Sequence, residues 1–322
     1  MPRNDPRAKC SDADFIQQFK KLGATALGQK LNSTKHHILR RRRALEKLYR
    51  IQITSPKTGN ATVTRHNIEH AARLHFDVSD GVVLIGSDAH IWPGPLTTAM
   101  RAFIKFAGQL KPKAVVLNGD VLDFPQVSRH APIGWEEHPT VADEIEAANS
   151  ALEKIEAAVS RNCALFWTLG NHDGRLETRI ATTAPELAKL KGVHLKDHFS
   201  PRWRPCWSVW INDVVVKHRL SGGIGAARNN TVKSGMSIVT GHLHSLKVTP
   251  YTDYRGTRYG VDSGCLADPA AEAFVHYTED GPLDWRSGFV VLTFKDGALL
   301  PPELVTVWQK NAVVFRGQIY NV

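Results

Sequence analysis

The pattern of apolar and polar positions changes character once along the chain. In the first part, apolar residues recur at helical spacing. Phe15, Ile16, Phe19 and Leu22 follow Asp12 and Asp14, either of which can cap a helix, and Gly23 predicts its end. Ala24–Leu31 predicts a second short helix, Asn32-Ser33 a turn, and Thr34–Tyr49 a third helix. Ser55-Pro56-Lys57-Thr58-Gly59-Asn60 breaks the pattern, so a boundary is expected there, between a domain at 1–57 and another at 58–322. Short strands are expected at Ala61–Arg65 and Leu74–Val78.

From residue 81 the texture is β-rich. Apolar runs predict strands at Val82–Gly86, Ala114–Asn118, Ala164–Leu169, Val214–Lys217 and Ser237–Thr240. Helices are predicted between them at Leu96–Leu110 and Val141–Ser160, the latter with Val141, Ile145, Leu152, Ile155 and Val159 on one face. Alternation of this kind implies layered α/β architecture with both sheet faces covered. Thr249–Tyr254, Thr257–Asp262 and Phe289–Phe294 read as antiparallel strands.

Charge sharpens the division. Residues 1–57 hold 14 Lys and Arg against 4 acids, and the remaining residues hold 27 of each sign, so the whole excess of +10 sits in the first segment. A field confined to one segment is a footprint for a polyanion. No apolar run approaches the ~18 residues of a membrane span, and the polar start MPRNDPRAKC lacks a secretory apolar stretch. Neither a membrane partner nor export is expected. Cys10, Cys163, Cys206 and Cys265 form no C-x-x-C pair, which argues against a thiolate zinc site and fits a reducing cytoplasm.

The chemistry is expected where five predicted strands end. They run into Ser87-Asp88-Ala89-His90, Gly119-Asp120-Val121-Leu122-Asp123, Gly170-Asn171-His172-Asp173, His218, and Gly241-His242-Leu243-His244. Functional groups gather beyond the carboxyl ends of strands in α/β sheets. Carboxylate, imidazole and amide donors without thiolate suit Mn, Fe, Zn or Ni, with manganese favoured. There are more donors here than one ion uses. Two ions ~3.5–4 Å apart share a hydroxide and clamp a phosphoryl group.

D-x-H, G-D-x-x-D, G-N-H-D, a lone strand-end His and G-H-x-H, in this order over residues 81–265, resemble the calcineurin-like metallophosphoesterases. The resemblance implies a four-layer α-β-β-α sandwich. It implies that Asp88, His90 and His244 hold one metal and Asn171, His218 and His242 the other, with Asp120 bridging. His172 then stands over the substrate as the general acid, oriented by Asp123. In the family the strand-end His is often followed by Gly; here Arg219 follows His218, placing a cation beside the site. Arg129, His130 and Arg175 are further candidates for phosphate contacts. Trp135 is a candidate to stack on a base, although packing is the commoner role for such a residue.

The first segment is similar to a helix-turn-helix. Gly28 lets two helices approach, Leu27, Leu31 and Ile38 supply packing, and Asn32 stands where a left-handed residue is required. Ser33 or Thr34 caps the next helix, which presents Lys35, His36 and His37 early and Arg40, Arg41, Arg42 and Arg43 after them. Nucleic-acid binding by these residues is therefore expected, against the alternative of a helical docking module with a solvated basic face. The pairing of such a head with such a catalytic domain is similar to proteins of phages and prophages, which implies the host cytoplasm. Together these features imply a DNA-directed phosphodiesterase. The rivals are a phosphomonoesterase or small-molecule phosphodiesterase with an anchoring head, and a DNA-binding regulator with a vestigial metal site. Self-association is left open.

Overall fold

The computed structural model describes residues 10–55, 70–130, 137–271, 274, 281 and 283–322. The chain divides into two compact units, Met1–Asn67 and Ile68–Val322. The expected boundary near residue 57 and the expected strand at Ala61–Arg65 lie outside the described residues, as does Trp135.

The first unit is helical. α1 spans Asp12–Lys30 and α2 spans Lys35–Tyr49. Ser11 caps α1, its Oγ accepting from Asp14 N at 3.1 Å, so Asp12 and Asp14 sit in the first turn, where the helix dipole favours their charge. The break expected at Gly23 is present as a kink (φ 73°, ψ 176°), and the chain resumes helix after it. Asn32 takes the left-handed conformation (φ 47°) and Thr34 Oγ1 caps α2 by accepting from His37 N at 3.2 Å. A side chain at Gly28 would meet Ser33 O at 2.9 Å, so the close approach needs glycine. Phe15, Phe19, Leu27, Ile38, Leu45 and Ile53 form the core of this unit, with Leu31 packed against it.

The second unit is built on two sheets. The first joins β2 (Gly81–Gly86), β3 (Ala114–Asn118), β4 (Ala164–Thr168) and β5 (Trp203–Cys206) in parallel. Beyond β2 it continues antiparallel through β11 (Gly288–Lys295), β13 (Glu303–Gln309), β14 (Ala312–Phe315) and β15 (Gln318–Asn321), with β12 (Ala298–Leu299) paired to β11. The second sheet has the order β1 (Leu74–Phe76), β6 (Val209–Ile211), β7 (Val214–Val216), β8 (Ser237–Thr240), β10 (Gly256–Ser263), β9 (Leu246–Asp253).

Alternate residues of the apolar strands serve two cores. Val83, Ile85, Val116 and Phe166 face Val209, Val216, Val239 and Val261 between the sheets. Leu84, Val115, Leu117 and Leu165 face the other way, onto Phe103 and Phe106 of α3 (Thr98–Leu110) and Leu152 and Ile155 of α4 (Val141–Ala158). With α6 (Ala226–Ser234) packed on β8–β10, the layers run helix, sheet, sheet, helix, as expected. The near-continuous apolar runs follow from this burial on both faces.

Candidate metal centre

β2, β3 and β4 deliver their following loops to one rim of the first sheet, and β7 and β8 deliver theirs to the second. The donor atoms of Asp88, His90 and His244 lie within 4.8 Å of one another, and so do those of Asp120, His218 and His242. The first is the trio expected from the sequence; in the second, Asp120, expected to bridge, stands with His218 and His242. The amide Oδ1 of Asn171, on the loop after β4, is buried and has no hydrogen-bond partner.

The loops are strained to achieve this. Asp88, His90, Asp120, His242 and His244 all have positive φ, between 41° and 70°. Non-glycine residues hold such conformations at a cost of ~1–3 kcal/mol each and only where their surroundings fix them. Space is equally constrained, because a side chain at Gly170 would meet Asp120 Oδ1 at 2.0 Å and one at Gly241 would meet Ser87 Oγ at 2.0 Å. At these two positions glycine provides room for the carboxylates rather than conformational freedom.

The donor set fits divalent cations. His90 Nε2, His244 Nδ1 and Asn171 Oδ1 are buried without hydrogen-bond partners, a condition a folded chain rarely tolerates unless something else satisfies it. The other nitrogen of His218, Nδ1, lies 2.8 Å from Asn118 O, and that of His90 lies 3.3 Å from Asp123 Oδ1. Each contact engages Nδ1, the usual support of a ligating histidine, and His218 Nε2 lies 3.0 Å from Asp120 Oδ2. The local field is negative. Burial pulls the His218 pKa down, but the Asp120 and Asp88 carboxylates push it up to about 9.

His172 is arranged differently. It remains partly exposed, with Nδ1 2.5 Å from Asp123 Oδ1 and Nε2 3.9 Å from Asp120 Oδ2. Burial works against its positive charge, yet the Asp123 and Asp120 carboxylates leave its pKa raised. His90, Asp123 and His172 also lie within 4.8 Å of one another, but the Asp123 carboxylate there is shared between the two imidazoles.

The expected phosphate contacts are placed less directly. Arg175 opens α5 (Arg175–Thr183) and donates through Nη1 to Asp123 O at 2.7 Å, with Nη2 3.3 Å from His172 Nε2. It braces the imidazole–carboxylate pair. Arg129 Nε lies 3.3 Å from His130 Nε2, and both side chains are exposed. In the helical unit Lys35, His36, His37, Arg40 and Arg43 are exposed. Arg41 instead pairs with Asp12 at 2.8 Å and stacks on Phe15, while Arg42 approaches Glu46 at 3.4 Å and lies over Phe19.

Several supporting groups escaped the sequence reading. Asp173, the last residue of G-N-H-D, accepts from Asp120 N, Val121 N, Leu122 N, Gly170 N and Trp167 Nε1 at 2.8–3.3 Å. Burial and the neighbouring Asp120 charge push its pKa up to about 6, so at neutral pH it is the carboxylate that five donors require. Glu144 of α4, fully buried, accepts from Asp123 N at 3.2 Å and Phe124 N at 2.8 Å. Both hold the G-D-x-x-D loop. Their position in G-N-H-D and amid an amphipathic helix gave only a weak signal.

The fold and site define a phosphoester hydrolase of the metal-dependent kind. Residues 81–255 match the calcineurin-like phosphoesterase model, and the chain belongs to that family. Gene 54 protein of Mycobacterium phage D29 is 26% identical over 245 residues, covering 70% of this chain and 93% of that protein. Among solved structures, zinc-complexed Vps29 from Entamoeba histolytica aligns at 13% identity, covering 75% of this chain and 98% of that chain, with a TM-score of 0.40. The YfcE phosphoesterase of E. coli aligns at 15% identity, covering 69% of this chain and 97% of its own, with a TM-score of 0.30. Among the described residues, no helix is long and apolar enough to cross a membrane.

Proposed function

We propose that this chain is a two-metal phosphodiesterase that acts on DNA and is held to it by the basic helical unit. The observation that carries the chemistry is the separation of roles: two clusters of donors, the first with orphaned nitrogens, and beside them an imidazole–carboxylate pair, His172–Asp123. Asp88, His90 and His244 would hold one ion, and Asn171, His218 and His242 the other, with Asp120 between them. A pair of divalent ions, which this oxygen and nitrogen donor set suits as Mn, Fe, Zn or Ni and for which we choose manganese, would supply hydroxide near neutral pH and neutralise phosphate charge. The chain's own residues do the rest. Asp123 accepts from His172 Nδ1 and fixes the ring, and against burial and the neighbouring Arg175 cation the Asp123 and Asp120 carboxylates favour the protonated imidazole. Arg175 must turn from Nε2 for that nitrogen to carry the proton. That proton is placed to pass to the departing oxygen. A regulator with a merely structural metal site has no use for such a pair.

DNA as the substrate is supported by the head. Lys35, His36, His37, Arg40 and Arg43 form an exposed basic face on α2, at the second helix of a tight helical turn. The test compares bis-p-nitrophenyl phosphate, p-nitrophenyl phosphate and DNA as substrates with added Mn. The diester and DNA should be hydrolysed faster than the monoester. A monoesterase with no action on DNA would establish the rival, an enzyme whose head is only an anchor.

A further inference from the structure

A cavity of about 240 Å³ shares a wall with the candidate metal centre. Its lining includes His90 on that shared side, and Trp92, Met100, Leu266, Ala271 and Phe274 around it. Phe274 meets the His90 ring edge-on at 5.3 Å and the His244 ring at 6.0 Å, so the aromatic wall continues directly from the candidate ligands. Two polar features interrupt this apolar lining. Trp92 Nε1 is buried without a hydrogen-bond partner, and the exposed residue Asp268 contributes a carboxylate.

We propose that this cavity receives the nucleobase adjoining the scissile phosphate, an inference that rests on the phosphodiesterase reading of the neighbouring site. A phosphate held at the clusters places its organic substituent within reach, because His90 belongs to both. The anionic Asp268 repels a second phosphate, and a bare sugar offers no flat apolar face to Trp92 or Phe274. A base has such faces, a ring acceptor for the Trp92 N–H and, in adenine, cytosine and guanine, an exocyclic amine for a carboxylate. The volume suits one ring system and excludes a duplex. The substrate strand must therefore present an unstacked base, at an end, in a single strand or flipped out.

Adenosine 5′-monophosphate and ribose 5-phosphate differ by the base alone, and calorimetry on the full-length protein compares them. The nucleotide should bind about tenfold or more tighter, the scale of one stacked base. Trp92→Phe keeps a ring but removes the N–H and should reduce that advantage several-fold; Ala271→Trp fills the cavity and should abolish it. In parallel, the thymidine 5′-(p-nitrophenyl phosphate) to methyl p-nitrophenyl phosphate ratio of kcat/KM should fall toward one in both variants. Equal binding of the two phosphates, or an advantage that survives both substitutions, overturns the proposal. Hydrolysis of neither ester would defeat the phosphodiesterase reading instead, and the binding comparison would still decide the cavity.

Discussion

The two units use charge in opposite ways. In the helical unit the cations of α2 are mostly solvated, on a backbone of ordinary helical geometry, and the two that turn inward, Arg41 and Arg42, lie over Phe15 and Phe19. In the catalytic unit Asp88, Asp120, Asp173 and His218 are all at most 2% exposed. Asp88 and Asp120 sit on strained loops, and backbone N–H groups of the loops after β3, β4 and β8 donate to Asp88, Asp120 and Asp173. Surface charge costs little to keep and little to lose. Buried charge persists only while its partners do, so the same substitution has very different consequences in the two places.

The largest expected effect is at Asp173. Asp173→Ala leaves five N–H groups without an acceptor, three of them on the loop that carries Asp120. It should cost on the order of 3–5 kcal/mol in chemical denaturation, as expected when one member of a buried charged network is removed. A loss below ~1 kcal/mol would show that the loop does not depend on this carboxylate.

Next is His172→Ala, which should lower turnover by a factor of about 10²–10⁴ while metal content measured by atomic absorption stays near that of the unaltered protein. Esters with very good leaving groups should suffer less. Loss of metal instead would make His172 a ligand.

A smaller, pH-dependent effect is expected at Glu144. Burial pushes its pKa up from 4.5 to about 7, even though the Asp123 and Phe124 N–H groups oppose the shift. The folded state then binds a proton more tightly than the unfolded chain between these values, so stability falls as pH rises through that window. The drop attributable to this group is at most about 3 kcal/mol. Glu144→Gln keeps an acceptor for Phe124 N and should flatten urea-midpoint-against-pH curves between pH 5 and 8. An unchanged slope would contradict the shift.

The head provides the mildest contrast. Arg41→Ala removes the Asp12 pair and the Phe15 stacking and should cost about 1–2 kcal/mol. Replacing exposed Lys35, Arg40 and Arg43 with Ala should leave stability within about 0.5 kcal/mol. The triple variant should instead flatten the log–log salt dependence of DNA affinity by about 3. A salt slope unaffected by the triple variant would point to a docking role for this face.

What the sequence disclosed follows the same division. Ala114–Asn118 and Ser237–Thr240 were legible to the residue, because strands buried on both faces are continuous apolar runs bounded by glycine. The candidate ligands were legible because they follow those strands directly. β5 was not, since Arg204 and Pro205 interrupt its pattern, and β6 is too short to display a period. β13 and β15, partly exposed, mix polar and apolar residues without clean alternation, and β14 is a run of only four residues. Asp173 and Glu144 stayed hidden for another reason. Most of their partners are backbone N–H groups 20 to 53 residues away, and a backbone donor leaves no mark on a one-dimensional pattern.

Stoichiometric reactivation tests the central claim most directly. The chelated full-length protein is titrated with Mn while bis-p-nitrophenyl phosphate hydrolysis is followed. The two donor clusters predict activity that saturates at two equivalents per chain, and an Asp120→Ala variant that binds at most one ion and remains inactive. Full activity at one equivalent, or in the Asp120→Ala variant, would contradict a reaction that needs both ions.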